Sequence, residues 1–236
     1  MTRLSIERAA AEAVVTSSGW LAEQPKSFQT ELLRRARLVE YSSGVPAFVT
    51  GDEVGGIQGI VRGSFRFCVP DRSGHERLAH LAQVGTWIGH PVVFATHGRS
   101  ITCYATEPAQ TLQVGLGAMN ELIASFPETI LHFNDLTRRV MRVAIEIIAD
   151  QLIPDSERRI GATLLRAGGV SDDQRSGRQV KVILAQAQLA EMANVSRHLV
   201  NSALARFKKM GWVKVSYNCV VITDADGLRE NLHRSD

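Results

Sequence analysis

Arg197, His198, Asn201 and Ser202 stand close together, within positions 197 to 202, and all four side chains carry hydrogen-bonding groups. Arginine can grip guanine O6 and N7 with two parallel hydrogen bonds, and asparagine can do the same with adenine N6 and N7. The chemistry this set could perform is therefore the reading of base edges in a duplex. Ser196, immediately before it, is a good helix N-cap. Lys208 and Lys209 follow at the far end, where cations suit backbone phosphates or the negative end of a helix. Ser196 and Lys208 thus complete a candidate DNA-binding set.

Such residues need an element that can enter the major groove. The run from Gln186 to Phe207 supplies one. Leu189, Met192 and Ala193 make an apolar face for a short helix, and Asn194 tolerates the left-handed turn that must follow. A second helix then buries Leu199, Val200, Ala203, Leu204 and Phe207 and leaves Arg197, His198, Asn201 and Ser202 outside. This is the pattern of a helix-turn-helix, whose second helix puts its N-terminal residues on base edges. Beyond Gly211, two short strands over 212–216 and 220–223 flank Tyr217-Asn218 and read as a wing. Charge agrees with this placement. Residues 175–236 hold ten Lys and Arg against five Asp and Glu, whereas the rest of the chain is slightly acidic and the whole carries +3. A basic tail on a neutral body suits phosphate binding, although a solvated surface face would show the same balance.

Further upstream, Glu40 to Leu116 contains runs rich in Val, Ile, Phe and Thr, punctuated by Gly44, Gly51, Gly55, Gly56, Gly63, Gly74, Gly85, Gly89 and Gly98. Turn signals recurring about every 8–12 residues predict a compact antiparallel β-roll. Ser125-Phe-Pro-Glu128 reads as a capping box that starts a long helix running to Pro154. Leu136, Val140, Val143 and Ile147 form an a/d seam, and Met141, Ile145, Ile148 and Leu152 form a second stripe. The seam is assigned to a two-fold homodimer interface, with packing wholly inside one subunit as the alternative. The stretch 166–178 is rich in Gly, Ser and Asp and reads as a linker. The fold class is α+β: an N-terminal antiparallel β-roll of double-stranded β-helix (jelly-roll) type over 15–125, a dimerisation helix over 126–153 and a C-terminal winged helix-turn-helix over 154–228.

Other classes fit less well. No apolar run approaches the ~20 residues that span a bilayer, and the N-terminus lacks a secretory pattern, so a cytoplasmic protein is expected. Cys68, Cys103 and Cys219 are far apart and form no CxxC pair. His75, His80, His90 and His97 gather in the roll with no metal-ligand spacing, and no bound metal is expected. GxSxG, HExxH and P-loop signatures are absent, so the chain does not read as an enzyme.

From about Trp20 to Leu228, the order of parts resembles the Crp/Fnr family of bacterial transcription regulators. The stretches that carry the resemblance are Ser176-Gly-Arg-Gln-Val-Lys-Val-Ile183 leading into the helix-turn-helix, Ile60-Val-Arg-Gly-Ser64, and Gly85-Thr-Trp-Ile-Gly-His90 running to Gly98-Arg-Ser100. The last is similar to the family's phosphate-binding cassette. The resemblance implies a homodimeric, sequence-specific regulator that binds a two-fold symmetric operator and contacts RNA polymerase. An effector pocket would be built from Gly89, His90, Arg99 and Ser100, with Ala144 and Ile145 on the long helix. His90 stands where cyclic-AMP-responsive members place Glu, and Ala144 and Ile145 stand where they place hydroxyl residues. These departures argue against cyclic AMP, no cofactor is required, and another effector is left open. The recognition helix departs as well, with His198 in place of the family's Glu, which implies a different half-site. The alternative is a small-molecule sensor that acts through protein contacts and keeps a vestigial winged helix.

Overall fold

The computed structural model describes residues 7–53, 55–89, 98–170 and 179–233. It is a mixed α and β chain whose sheets are antiparallel throughout the assigned pairings. Residue contacts divide it into two units, 1–70 with 81–142, and 71–80 with 143–236.

Helices α1 (Arg8–Ser17) and α2 (Lys26–Arg34) precede eight strands, β1 (Arg37–Tyr41), β2 (Pro46–Phe48), β3 (Ile57–Arg62), β4 (Phe65–Pro70), β5 (Glu76–Ala82), β6 (Trp87–Gly89), β7 (Thr102–Ala105) and β8 (Ala109–Val114), all in the first unit except that β5 up to His80 counts with the second. Two four-stranded sheets result, ordered β1-β8-β3-β6 and β2-β7-β4-β5, which is the roll expected from the glycine-punctuated runs. One cluster of Phe48, Ile60, Phe65, Ala82, Ile88, Cys103, Ala105 and Ala109 fills it. Strand β3 is buried from Ile57 to Val61, so it has no wet face. Its second residue, Gln58, is satisfied there, because the Tyr41 and Thr111 hydroxyls each donate to its Oε1 at 2.7 Å. Gly59 is required for space: a Cβ there would lie 2.8 Å from the Trp87 ring. A second cluster packs Ala11 and Val15 of α1, Trp20 and Leu21 of the 3-10 turn that follows it, and Phe28 and Leu32 of α2 against Ile57, Val61, Trp87, Leu112 and Val114.

Helix α3 (Leu116–Ser125) and the long helix α4 (Thr129–Gln151) follow. The expected capping box at Ser125 does not form. Ser125 ends α3, with its hydroxyl donating to Glu121 O, and Thr129 opens α4, its hydroxyl donating to Phe126 O at 2.7 Å. The first turn of α4 is thus anchored by backbone of the preceding turn. Leu136 is a second correction. It is 2% exposed within the cluster of α1, α2 and the roll, so it is spent inside the first unit and does not face a partner. The seam assigned to the dimer is therefore split, with Val140 exposed and Val143 and Ile147 half-buried. The neighbouring stripe is the open one, with Met141 58%, Ile145 58%, Ile148 60% and Leu152 76% exposed.

In the second unit, α5 (Ser156–Ala167), β9 (Val180–Val182), α6 (Gln186–Met192), α7 (Arg197–Lys209), β10 (Val213–Ser216), β11 (Cys219–Ile222) and α8 (Ala225–His233) complete the chain. Its sheet runs β10-β11-β9, so the wing hairpin read from sequence gains a third strand. Arg166 to Gly169, read as the start of a linker, instead closes α5. Val170 N bonds to Leu165 O and Gly169 takes φ +64°, the left-handed cap that glycine allows. Gly168 is a packing glycine, since a Cβ would sit 3.1–3.3 Å from Ile222, Val182 and Val180. The remainder of that stretch, 171–178, lies outside the described residues.

Candidate nucleic-acid interface

Helix α6 ends in a left-handed turn. Asn194 takes φ +51°, its N–H bonds to Glu191 O, and Val195 N bonds to Ala190 O at 3.0 Å. The turn read from the asparagine is thus the one present. Ser196 then caps α7, its Oγ accepting from Leu199 N at 3.3 Å. Two side chains from other elements bond the end of α6, and one of its own carboxylates reaches outward. Arg159 Nε donates to Ala193 O at 2.7 Å, Gln151 Nε2 donates to Met192 O at 2.8 Å, and Glu191 Oε1 accepts from Leu78 N at 2.9 Å. Buried carbonyls at the end of a short helix would otherwise lack partners.

The faces of α7 are sharply divided. Val200, Ala203, Leu204 and Phe207 are 0–3% exposed, and the Phe207 ring lies 5.7 Å from that of Trp212. Arg197, His198, Asn201 and Ser202 are all exposed, as are Ser196 and Lys208. The geometry therefore brings the six sequence-assigned DNA-binding residues onto one capped helix. Leu199 is a correction, because it was expected in the core and is 41% exposed. Helical periodicity alone could not place it, since it lies at the edge of the apolar arc.

Two cations escaped assignment from sequence. Lys181 on β9 and Lys214 on β10 both pair with Val221 of the central strand β11, one from each side. They therefore share one face of the sheet, and both are exposed. The period-two alternation in Val180-Lys181-Val182 and Val213-Lys214-Val215 was the available signal; the third strand that joins them was not.

One buried ionic cluster braces this unit. Arg166 Nε donates to Asp150 Oδ2 at 2.7 Å, with the two side chains 4% and 12% exposed. Arg166 Nη1 also donates to Ala79 O at 3.2 Å and to His80 Nδ1 at 3.1 Å. Burial, reinforced by the adjacent guanidinium, drives His80 down to a pKa of about 3. Burial raises the Asp150 carboxyl, against the pull of Arg166.

The assigned effector residues are divided between the two units, with Gly89, Arg99 and Ser100 in the first and Ala144 and Ile145 in the second. Gly89 takes φ +103°, and a Cβ there would be 2.4 Å from Gly56 O. Arg99 is half-buried, its guanidinium 3.9 Å from the centre of the Phe48 ring and its Nη2 donating to Gly56 O at 3.3 Å. Ser100 is exposed, and His90 lies outside the described residues. Ala144 and Ile145 belong to the second unit, are exposed, and carry no side-chain hydrogen-bonding group. Cys68 and Cys103 are buried, and burial pushes the Cys103 thiol well up. Among the described residues, no three of His, Cys, Asp and Glu gather in a metal-binding group, and no helix is long and apolar enough to cross a membrane.

A roll, a long helix and a capped helix-turn-helix beside a three-stranded wing define a β-roll protein that carries a winged helix. Comparison with known proteins agrees. Residues 158–231 match the Crp-like helix-turn-helix domain. The chain is 23% identical over 198 residues to the CRP-like cAMP-activated global transcriptional regulator of Mycobacterium tuberculosis, covering 84% of this chain and 88% of that one. Its fold is similar to that of FixK2 from Bradyrhizobium japonicum, with a TM-score of 0.70 at 13% identity over 85% of this chain and 98% of that one. It is also similar to the c-di-GMP responsive global regulator CLP of Xanthomonas campestris, with a TM-score of 0.62 at 15% identity over 84% and 99%. Residues 158–231 are thus a Crp-like helix-turn-helix domain, and the chain as a whole is similar to CRP-like transcription regulators.

Proposed function

We propose that the protein works as a homodimer on a two-fold symmetric operator, each subunit laying α7 in the major groove. Arg197, His198, Asn201 and Ser202 then meet base edges, while Ser196 and Lys208 lie by the phosphate backbone. The observation that carries this reading is the division of α7 into a buried apolar face and an exposed polar one with a capped first turn. Homodimerisation rests on the open stripe Met141, Ile145, Ile148 and Leu152, which a second copy of the same helix would cover. Contact with RNA polymerase and a cytoplasmic location belong to the same reading, and no catalytic step is assigned to the chain. The test is selection of bound sequences from a random duplex library at near-physiological salt. Enrichment of an inverted repeat is expected; no enrichment would leave a sensor that works through protein contacts.

No resident cofactor is required in this reading, and the residues at the assigned pocket argue against cyclic AMP as the effector. Arg99, the cation of the cassette, is engaged with Phe48 and Gly56 O. Ala144 and Ile145 cannot replace hydrogen bonds to a purine, and burying polar ligand groups unpaired is costly. Cyclic AMP and c-di-GMP, which appear in the names of two relatives, are the compounds to test by calorimetry and by adding each to the library selection.

A further inference from the structure

We infer that Leu199 is a base-reading residue, its isobutyl group packing on the C5 methyl of a thymine in each half-site. The inference rests on the proposal that α7 enters the major groove. Single exposed leucines are common on protein surfaces, so position is what distinguishes this one. The core of the second unit takes Val200, Ala203, Leu204 and Phe207 from α7 and leaves Leu199 41% exposed. It stands in the first turn, its N–H held by the Ser196 cap, between exposed His198 and exposed Asn201 and three residues from Ser202. Side chains on a helix lean toward its N-terminus, and the N-terminal residues of a recognition helix are those that meet base edges. Arg197, His198, Asn201 and Ser202 can answer hydrogen-bonding groups on the bases, whereas Leu199 can answer only an apolar one. In the major groove of unmodified DNA that group is the thymine methyl, and 5-methylcytosine presents the same chemistry.

The experiment uses the full chain and the operator found by library selection. Each thymine of the half-site is replaced in turn by uracil, which removes the methyl and keeps the base pair. Each cytosine is replaced separately by 5-methylcytosine. Affinities are measured for the wild type and Leu199→Ala, after thermal melts confirm that both proteins are folded. At one thymine per half-site, uracil should weaken wild-type binding about fourfold per methyl removed, the worth of one buried carbon. In Leu199→Ala the same replacement should have no effect. A uracil effect that persists in Leu199→Ala, or its absence at every thymine, overturns the inference and leaves the operator reading intact. Tighter binding to 5-methylcytosine without thymine sensitivity overturns it as well and assigns Leu199 to the modified base. If no operator is selected, the parent reading fails and this inference falls with it.

Discussion

His80 is 9% exposed and presents Nδ1 to Arg166, an arrangement that requires a neutral ring with its proton on the other nitrogen. Its folded pKa of about 3 lies below the ordinary value of 6.5. As pH falls, the unfolded chain therefore takes up the proton first. The contribution is intact above about pH 6.5 and is lost as pH falls from there toward 3, at a cost of about 2 kcal/mol by pH 5. His80→Asn keeps an acceptor for Arg166 without titrating, and Asp150 is common to both proteins. Urea unfolding should thus show the wild type losing about 2 kcal/mol more than His80→Asn between pH 7 and 5. Arg166→Met should be harsher, about 3–5 kcal/mol, because it strands the Asp150 carboxyl in a buried site. Restoration of much of that loss by adding Asp150→Leu would confirm the pairing; a loss below about 1 kcal/mol in the single variant would contradict it. On the proposed role of α7, Arg197→Ala should weaken specific binding by about 1–3 kcal/mol and relax base choice at one operator position. Unchanged selectivity in a library selection would remove Arg197 from the reading set.

Helix α7 owes its first turn to one hydroxyl. Ser196→Ala should cost about 1 kcal/mol of stability, read from chemical unfolding of the full chain. Ser196→Asp should restore the cap and also set a negative charge at the positive end of the helix, but it should weaken DNA binding by phosphate repulsion. The element scale also shows where local signals succeed. The Asn194 turn, the Ser196 cap and the apolar positions 200, 203, 204 and 207 involve neighbours within a few residues, and each is present as the sequence implies. The Ser125 box had the right residue types but lost to a competing solution: α3 extends through Ser125, and Thr129 makes a hydroxyl bond to the turn before it. Likewise, Gly168 carries the composition of a linker but the environment of a packing site.

The long helix α4 links the scale of the element to that of the assembly. Its open stripe should hold two subunits together, so Ile145→Glu with Ile148→Glu should yield a monomer in sedimentation velocity. Affinity for a duplex with both half-sites should then fall by about 10²-fold or more, because the second recognition helix no longer binds as a tethered partner. A dimeric double variant would place the interface elsewhere. Two apolar stripes were legible in α4, but which one was free was not. Periodicity reports that a face is apolar and says nothing of what covers it. Trp20, Phe28 and the roll claim Leu136, and they come from positions more than a hundred residues upstream or from other strands. The same limit explains Leu199, whose exposure depends on how far the core reaches around α7, and Lys181 and Lys214, which meet across β11 only through strand pairing. Order of elements, turn chemistry, helix caps and the polar reading set are properties of neighbouring residues, and the chain carries them in its local pattern. The occupied helix face, the third wing strand and the buried Arg166 cluster depend on contacts between distant segments, whose free energy exists only once the chain has folded.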